Sequence, residues 1–366
     1  MQLSIFLAIL IPSIVLSAIL SARHRRAALR EQLQAEWGAR RPLRPIDEDA
    51  MEDIRECYTD MPHPQGDFAW VDDITWSDLD MDAVFRYLNR AQSGVGEEMF
   101  YRMLHAIDES GETLQKRDRW MNALTADAPH RIALQKQLRG LTRDHDHGAF
   151  QYLKNPQSAR PANAWVYFVL ALMPFVFIGL GIWRPLWLLG IALSLLVNAI
   201  VYYRTKQVWM RELTAIRHLA SVLYCARHMR RSPVKGMEDG FEALDALCAA
   251  LKPLARWNSL LYMQRVSDID FFTDYFRIAF QLDMISLIRL SDFIKKHADD
   301  VLRLYALIGE MDACIAVASV RKSLGGYAVP QFHAEKHVQA EGVWHPLIKE
   351  PVPNTMDWKE NVLVTG

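Results

Sequence analysis

The last six residues of the chain have the most informative chemistry. They read Asn361-Val-Leu-Val-Thr-Gly366, a short apolar run that closes in Thr-Gly. This pattern is typical of a buried strand that leads into a phosphate-binding loop, G-x-x-x-x-G-K-[ST]. In such a loop the backbone N–H groups, the Lys and the Ser/Thr hold a nucleotide and its Mg²⁺. We expect Gly366 to be the first glycine of that loop, with the other loop residues beyond it.

Two further clusters contain residue types that bind metals. The segment Asp144–His147 alternates carboxylate and imidazole, and the segment Asp72–Asp82 contains five aspartates. The first precedes Gly148 and has no other ligand nearby, so we interpret it as a solvated turn. The second lacks the glycine and terminal glutamate of a calcium loop, and helix capping explains its aspartates. We predict no metal site and no catalytic residue, and we expect no ATP hydrolysis by this chain alone.

Composition limits the classes of function. The chain has 366 residues, of which 51% are hydrophobic and 23% charged, and its formal net charge is −1. A near-zero charge gives no electrostatic support for DNA binding, which usually needs a basic face. The four cysteines have no C-x-x-C spacing, so we predict buried, reduced thiols instead of a disulfide framework or a zinc site.

The apolar residues at the N-terminus predict a membrane anchor. Leu3–Ala22 contains no charged residue and is long enough to cross a bilayer. Positive charge follows this segment and none precedes it, which places the N-terminus outside and the bulk of the chain in the cytoplasm. The basic residues that follow are also candidates for contact with lipid headgroups: Arg23, Arg25, Arg26 and Arg30.

A second apolar block, residues 164–203, predicts a transmembrane helical hairpin. It is interrupted only at Trp183-Arg184-Pro185, and both flanks carry positive charge. Tryptophans at its ends, as in an aromatic belt, are Trp165, Trp183 and Trp187. The alternative is a buried helical hairpin of a soluble core, but soluble helices need a polar face that this block lacks.

Outside these spans the apolar spacing is helical. It predicts helices over residues 49–58, 81–90, 113–125, 130–139, 205–231, 241–252 and 284–324. Ser77–Asp80 is the expected cap of the second of these, and Gly94 and Gly96 the break that ends it. The chain is therefore predicted to be mainly α-helical, with short strands only after Gly326.

Two blocks carry a resemblance to a known family. One combines the helical segment Gly309–Ala313 with His345-Pro346, Pro353-Asn354 and the terminal strand; the other is Trp70–Phe100. Together they resemble the MutS family of DNA mismatch-repair ATPases, in the form of its membrane-associated MutS-like members. The resemblance covers roughly residues 65–110 and 280–366.

The resemblance implies a helical core and lever helices that lead into an α/β ATPase domain, of which this chain holds a short β start. It implies ATP and Mg²⁺ as cofactors of a full-length form, with Val352, Asn354 and Gly366 at nucleotide-binding positions. Pro351 departs from the family, where many relatives carry an aromatic residue. Glu310 and the 284–324 helix would transmit motion. The Phe-x-Glu wedge of mismatch-reading members is absent, so mismatch recognition is not expected.

The predicted organisation has six parts: a transmembrane anchor (1–22), a cytoplasmic linker (23–64), a helical core segment (65–160), a transmembrane hairpin (164–203), a lever-type helical region (204–326) and the edge of an ATPase domain (327–366). The expected partners are the lipid bilayer, a second copy bound through the ATPase domain, an unknown protein and, without support from charge, DNA. The functional hypothesis is the non-catalytic portion of an ATP-dependent conformational switch. The alternative is a membrane scaffold with neither ATPase activity nor mismatch recognition.

Overall fold

The structure, a computed structural model, describes residues 2–40, 46–61, 68–108, 110–141, 161, 163–254, 270–324, 326–331, 333, 335–345, 347–360 and 362. The described chain is mainly helical, as predicted, and has two small sheets. The sheet after Gly326 lies where short strands were expected, whereas the sheet within residues 68–108 was not predicted. Its helices are α1 (Gln2–Glu36), α2 (Glu48–Asp60), α3 (Asp73–Asp78), α4 (Met81–Leu88), α5 (Gly94–His105), α6 (Glu112–Ala126), α7 (Ala128–Leu138), α8 (Ala164–Trp183), α9 (Leu189–Val208), α10 (Met210–Met229), α11 (Glu238–Ala250), α12 (Asp270–Ala279), α13 (Leu282–Lys296) and α14 (Ala298–Leu324).

The two sheets each contain two antiparallel strands. Strand β1 (Phe68–Trp70) pairs with β2 (Ala106–Asp108), and β3 (Val338–Val343) pairs with β4 (Asn354–Trp358). The second sheet has an irregular register near Gly342, whose φ of 64° requires a residue without a Cβ. The terminal strand predicted over 361–364 lies outside the described residues, except for Val362, which is not in a strand.

Helix α14 lies at the centre of the main hydrophobic core. It packs against α5, α6, α10 and α11, and its buried side chains include Tyr305, Ile308 and Met311. Gly309 allows the closest approach, because a Cβ there would lie 2.3 Å from Met99 Cγ and 2.7 Å from Val95 O. The long helix is thus buried on most sides, and α5 crosses it at its one glycine.

A second, smaller apolar cluster lies among the helices between residues 48 and 105. It joins α2, α3, α4 and α5 around Met51, Ile54, Phe85 and Phe100, all nearly inaccessible to solvent. From α14, Ala313 belongs to this cluster and Val317 packs against it. Both apolar clusters therefore meet at the α5–α14 contact.

Helices α8 and α9 form a hairpin joined by a short 3₁₀ turn at Pro185–Leu188. Among the described residues, two helical segments are long and apolar enough to cross a membrane: Ala164–Trp183 and Pro185–Val208. Only 6% and 17% of their apolar windows are buried inside the protein. A soluble core hairpin would be mostly buried, so the exposure of these side chains opposes that alternative.

Several details differ from the predictions made from the sequence. Helix α1 continues past Ala22 to Glu36, so the expected linker begins with a helix. The helix predicted over 205–231 is interrupted at Trp209, and the one predicted over 284–324 at His297, because neither residue has helical dihedral angles. Gly94 and Gly96 do not end a helix; they form the first turn of α5.

A further difference concerns the residue expected to cap α4. Asp80, at the start of α4, has a φ of 47° and makes no side-chain cap. The capping residue in this region is Asp72, which accepts hydrogen bonds from the N–H groups of Ile74 and Thr75 and so begins the preceding helix α3.

Candidate functional site

The N-terminus of α5 is held by a carboxylate from α14. Asp312 is fully buried and accepts hydrogen bonds from the N–H groups of Gln92 and Ser93 and from the Ser93 hydroxyl, at 2.6–3.1 Å. Ser93 in turn caps the helix by accepting from Gly96 N–H. A Cβ on Gly96 would lie 2.3 Å from Asp312 Oδ2, so only glycine allows this approach. The two sequence blocks that carry the family resemblance therefore meet at one buried carboxylate.

Burial raises the pKa of Asp312 to about 6 although its hydrogen bonds favour the charged form. The negative charge of buried Glu97 also raises the pKa of Asp312. Because the folded-state pKa lies above the ordinary carboxyl value, the native protein holds more protons than the unfolded chain between about pH 4 and pH 6. This group therefore favours the folded state at low pH, and that contribution is lost as the pH rises through about 6.

We expect the substitution Asp312→Asn to remove this contribution. The difference in free energy of unfolding between wild type and Asp312→Asn should shift against the wild type as pH rises from about 4 to 6, then stay constant. Chemical denaturation in detergent micelles, followed by tryptophan fluorescence, measures it. The control is Asp245→Asn, on an exposed ion pair with Arg230, which should cost less than about 1 kcal/mol of unfolding free energy. A pH-independent difference for Asp312→Asn would contradict the titration.

A second buried polar chain crosses the same region. Glu98 accepts hydrogen bonds from the Tyr305 hydroxyl at 2.5 Å and from the Cys57 thiol at 3.1 Å, and Tyr305 lies 3.5 Å from His218 Nε2. Burial, followed by the charge of Glu98, raises the pKa of the Cys57 thiol well above its usual value. The thiol is therefore protonated and unreactive, and the chain is suited to fix four helices against each other.

Glu310 lies on α14 between Tyr305 and Asp312. Its carboxylate accepts hydrogen bonds from Lys116 Nζ and Arg117 Nε of α6, each at 2.9 Å. All three side chains are at least two-thirds buried, which shields the charges from solvent. Glu310 therefore attaches α14 to α6.

The apolar hairpin of α8 and α9 is joined to the helical body by another buried carboxylate. Asp283, at the start of α13, is 1% exposed. It accepts hydrogen bonds from the Tyr202 hydroxyl of α9 at 2.7 Å, from Arg217 of α10 at 3.2 Å and from Arg277 of α12 at 2.5–2.9 Å. Four helices thus meet at one side chain, and we call this group of four residues the Asp283 junction.

The nucleotide-binding positions implied by the resemblance lie beside β3 and β4. Val352 and Asn354 line a shallow cavity of about 270 Å³, and Val352 is 76% exposed. Asn354 Nδ2 donates locally to Val352 O at 3.0 Å. The remaining lining residues are Val343, Trp344, His345, Ile348, Pro351 and Met356. Trp344 supplies an aromatic ring to this cavity, in which Pro351 takes the position where the resemblance implies an aromatic residue. Gly366 lies outside the described residues.

The predicted membrane-facing residues are exposed. Trp165, Trp183 and Trp187 are 67%, 88% and 48% exposed and lie at the two ends of the hairpin. The basic residues of α1, namely Arg23, Arg25, Arg26 and Arg30, are all exposed as well. Lipid contact by these seven residues stays a prediction.

Two segments contain residue types that bind metals. Of these, Asp144–His147 lies outside the described residues. In the acidic segment, Asp72 caps α3, and Asp82 accepts hydrogen bonds from Arg55 and from the indole N–H of Trp76. Within the part of the chain that the structure describes, no group of three His, Cys, Asp or Glu side chains could hold a metal ion. The four cysteines are buried and free, as predicted.

Sequence reasoning assigned no role to Asp283 or Asp312. For Asp312 a signal exists, because it interrupts the apolar stripe of α14 between Ile308 and Ile315, where a charge must find a buried partner. For Asp283 the local sequence gives no such signal, since its partners Tyr202, Arg217 and Arg277 are scattered along the chain.

Comparison with protein-family models, with curated proteins and with solved structures finds no match to this chain in any of the three.

Proposed function

We propose that this chain is the membrane-anchored, non-catalytic portion of a MutS-like, ATP-dependent conformational switch. In this proposal three helices cross the membrane, namely the N-terminal segment Leu3–Ala22 and the hairpin α8–α9. The N-terminus lies outside and the helical body in the cytoplasm. ATP and Mg²⁺ belong to a full-length form that dimerises through its ATPase domains. Neither mismatch recognition nor DNA binding is required of this chain.

The observation that carries the proposal is the Asp283 junction. It ties the hairpin to α13, which is followed directly by α14, and α14 ends at Leu324, shortly before the C-terminal sheet. In the proposed switch, a displacement at the C-terminal sheet passes along the chain into α14 and α13 and so to the hairpin. Two buried hydrogen-bonded carboxylates, Asp283 at the start of α13 and Asp312 in the middle of α14, favour movement of these helices as stiff bodies.

The second support is the cavity beside β3 and β4. It brings Val352, Asn354 and the Trp344 ring together, so an adenine ring would find an apolar floor, an aromatic side chain and an amide. The family resemblance assigns two of these three residues to the nucleotide, and the third occurs in the same cavity without having been expected.

The experiment uses the protein produced from its native gene, reconstituted in nanodiscs. We expect an intact mass above 42.1 kDa and saturable binding of a fluorescent ATP analogue with Mg²⁺. Val352→Asp should weaken this binding at least tenfold, because it places a charged carboxylate where the apolar face of the adenine ring would pack. The matched control is Val338→Asp, a 53% exposed valine of β3 outside the cavity, which should bind as wild type.

A distance measurement tests the switch itself. Spin labels at Arg303→Cys on α14 and Leu186→Cys in the hairpin turn should change their separation when ATP and Mg²⁺ are added. Arg303 and Leu186 are both exposed, so labelling should not disturb the fold. If the membrane-bound protein binds no ATP analogue and the distance stays the same, the result supports the alternative, a membrane scaffold without ATPase activity.

A further inference from the structure

The corner between α12 and α13 lies against the middle of the membrane hairpin. Asn198 of α9 donates from Nδ2 to Ala279 O at 2.6 Å and to Leu170 O of α8 at 3.0 Å. Gln281 Nε2 donates to Asn198 O at 2.6 Å. Both amide side chains are fully buried. The corner therefore hydrogen-bonds with Asn198 of α9, and the same Asn198 amide joins α9 to α8 at that level.

This level is well inside the apolar block. Asn198 precedes the first flanking charge of the hairpin, Arg204, by six residues, which corresponds to roughly 9 Å of helix axis. Phe280, next to Gln281, stacks on Phe175 of α8 with ring centroids 5.1 Å apart. Phe175 follows Trp165 by ten residues, so its ring lies roughly 15 Å along the axis from the aromatic belt.

Helix α13 then returns toward the belt along α8. The guanidinium of Arg289 lies 5.5 Å from the centroid of the Phe168 ring. Phe168 is close to the Trp165 end of α8, whereas Phe175, against Phe280, lies near its middle. Two separate contacts thus give the same result, that the α12–α13 corner is the deepest point of this helix pair.

The corner has a backbone conformation that needs support. Gln281 has a φ of 52°, which is unfavourable for a residue with a side chain. The side-chain amide of Gln281 is fixed by its hydrogen bond to Asn198 O. Two residues further along the chain is Asp283, the centre of the Asp283 junction. The hairpin therefore holds the corner in a strained conformation.

The outer surface of the corner is aromatic. Phe276 is 59% exposed and Tyr275 is 57% exposed, while Arg277 is buried against Asp283. The charge of Arg277 is thus neutralised inside the protein. The exposed face continues the apolar surface of the hairpin, where Leu172 is 59% exposed and Phe175 is 55% exposed.

We propose that residues 275–282 form a re-entrant wedge in the membrane leaflet that contains Trp165 and Arg204. The rings of Tyr275 and Phe276 contact lipid acyl chains there, and Asp274, 67% exposed at its side chain, marks the headgroup level. The partner of this surface is the bilayer itself. The inference rests on the proposed membrane insertion of α8 and α9, and it adds a fourth membrane-contacting segment, which neither hydropathy nor length indicates.

Depth-dependent quenching tests the wedge. The full chain in nanodiscs carries one introduced cysteine with an environment-sensitive fluorophore, at Phe276→Cys or, as a second position, Tyr275→Cys. The four native cysteines are buried and should not react. Leu172→Cys on α8 is the membrane reference and Glu242→Cys, exposed on α11, is the aqueous reference. The probes are nanodisc lipids with a nitroxide on the acyl chain.

We expect labels at 276 and 275 to be quenched severalfold more than the label at 242, approaching the label at 172. Quenching at 172 combined with none at 276 and 275 would overturn the wedge and leave the hairpin intact. Absence of quenching at 172 as well would overturn both the wedge and the proposed membrane insertion.

Discussion

Replacing Asp283 by alanine should destabilise the protein by about 3–5 kcal/mol, the usual cost of removing one partner of a buried ion pair. The substitution leaves Arg277 and Arg217 without their carboxylate, and the Tyr202 hydroxyl loses its acceptor. Arg277 is only 5% exposed, so water cannot replace the lost interaction. Chemical denaturation in detergent micelles measures the loss of unfolding free energy.

The control uses the same arginine. Asp274 also pairs with Arg277, at 3.4 Å, but its side chain is 67% exposed. Asp274→Ala should therefore cost less than about 1 kcal/mol, as is typical of exposed ion pairs. Similar losses for the two variants would contradict the assignment of Asp283 as the residue that joins the hairpin to the helical body.

The Asp283→Ala substitution should also uncouple the hairpin from the lever helices. In the proposed switch, the ATP-dependent distance change between α14 and the hairpin turn should shrink, while binding of the ATP analogue near Val352 stays at the wild-type level. Loss of binding together with loss of movement would indicate global unfolding instead of uncoupling.

Replacing Gly309 by alanine should destabilise the protein by about 1–3 kcal/mol, the range expected for overpacking a tight core. The new Cβ would lie 2.3 Å from Met99 Cγ and 2.7 Å from the carbonyl oxygen of Val95. Met99 can change rotamer, but the Val95 carbonyl belongs to the backbone of α5. Helices α5 and α14 must therefore move apart, which also weakens the hydrogen bonds to Asp312.

Gly179→Ala is the matched control, because Gly179 also lies inside a long helix and a Cβ there would meet nothing within 4 Å. Alanine is the better helix former by roughly 1 kcal/mol, so this variant should be neutral or slightly stabilised. Gly309→Ala should thus lower the denaturation midpoint, whereas Gly179→Ala should leave it unchanged or raise it slightly. A stabilised Gly309→Ala would show that the α5–α14 contact is less tight than the distances indicate.

The helical class and the hairpin follow from local patterns that need no tertiary information. Apolar residues without a polar face, bounded by Trp165 and Trp183, leave a chain segment few alternatives, and the structure has helices there. The helix boundaries were less predictable. Trp209 and His297 interrupt predicted helices although neither is a helix breaker, so packing, not propensity, sets these ends.

Residue types and spacing along the chain were enough to predict a mainly helical protein, an apolar hairpin and four buried thiols. They also pointed to the two segments that meet at α5 and α14, but not to the atom that joins them. Only the tertiary structure decided that Asp312 holds the start of α5 and that Asp283 collects side chains from three other helices. The reason is physical: a carboxylate is buried only where several donors converge, and distant parts of the chain supply those donors.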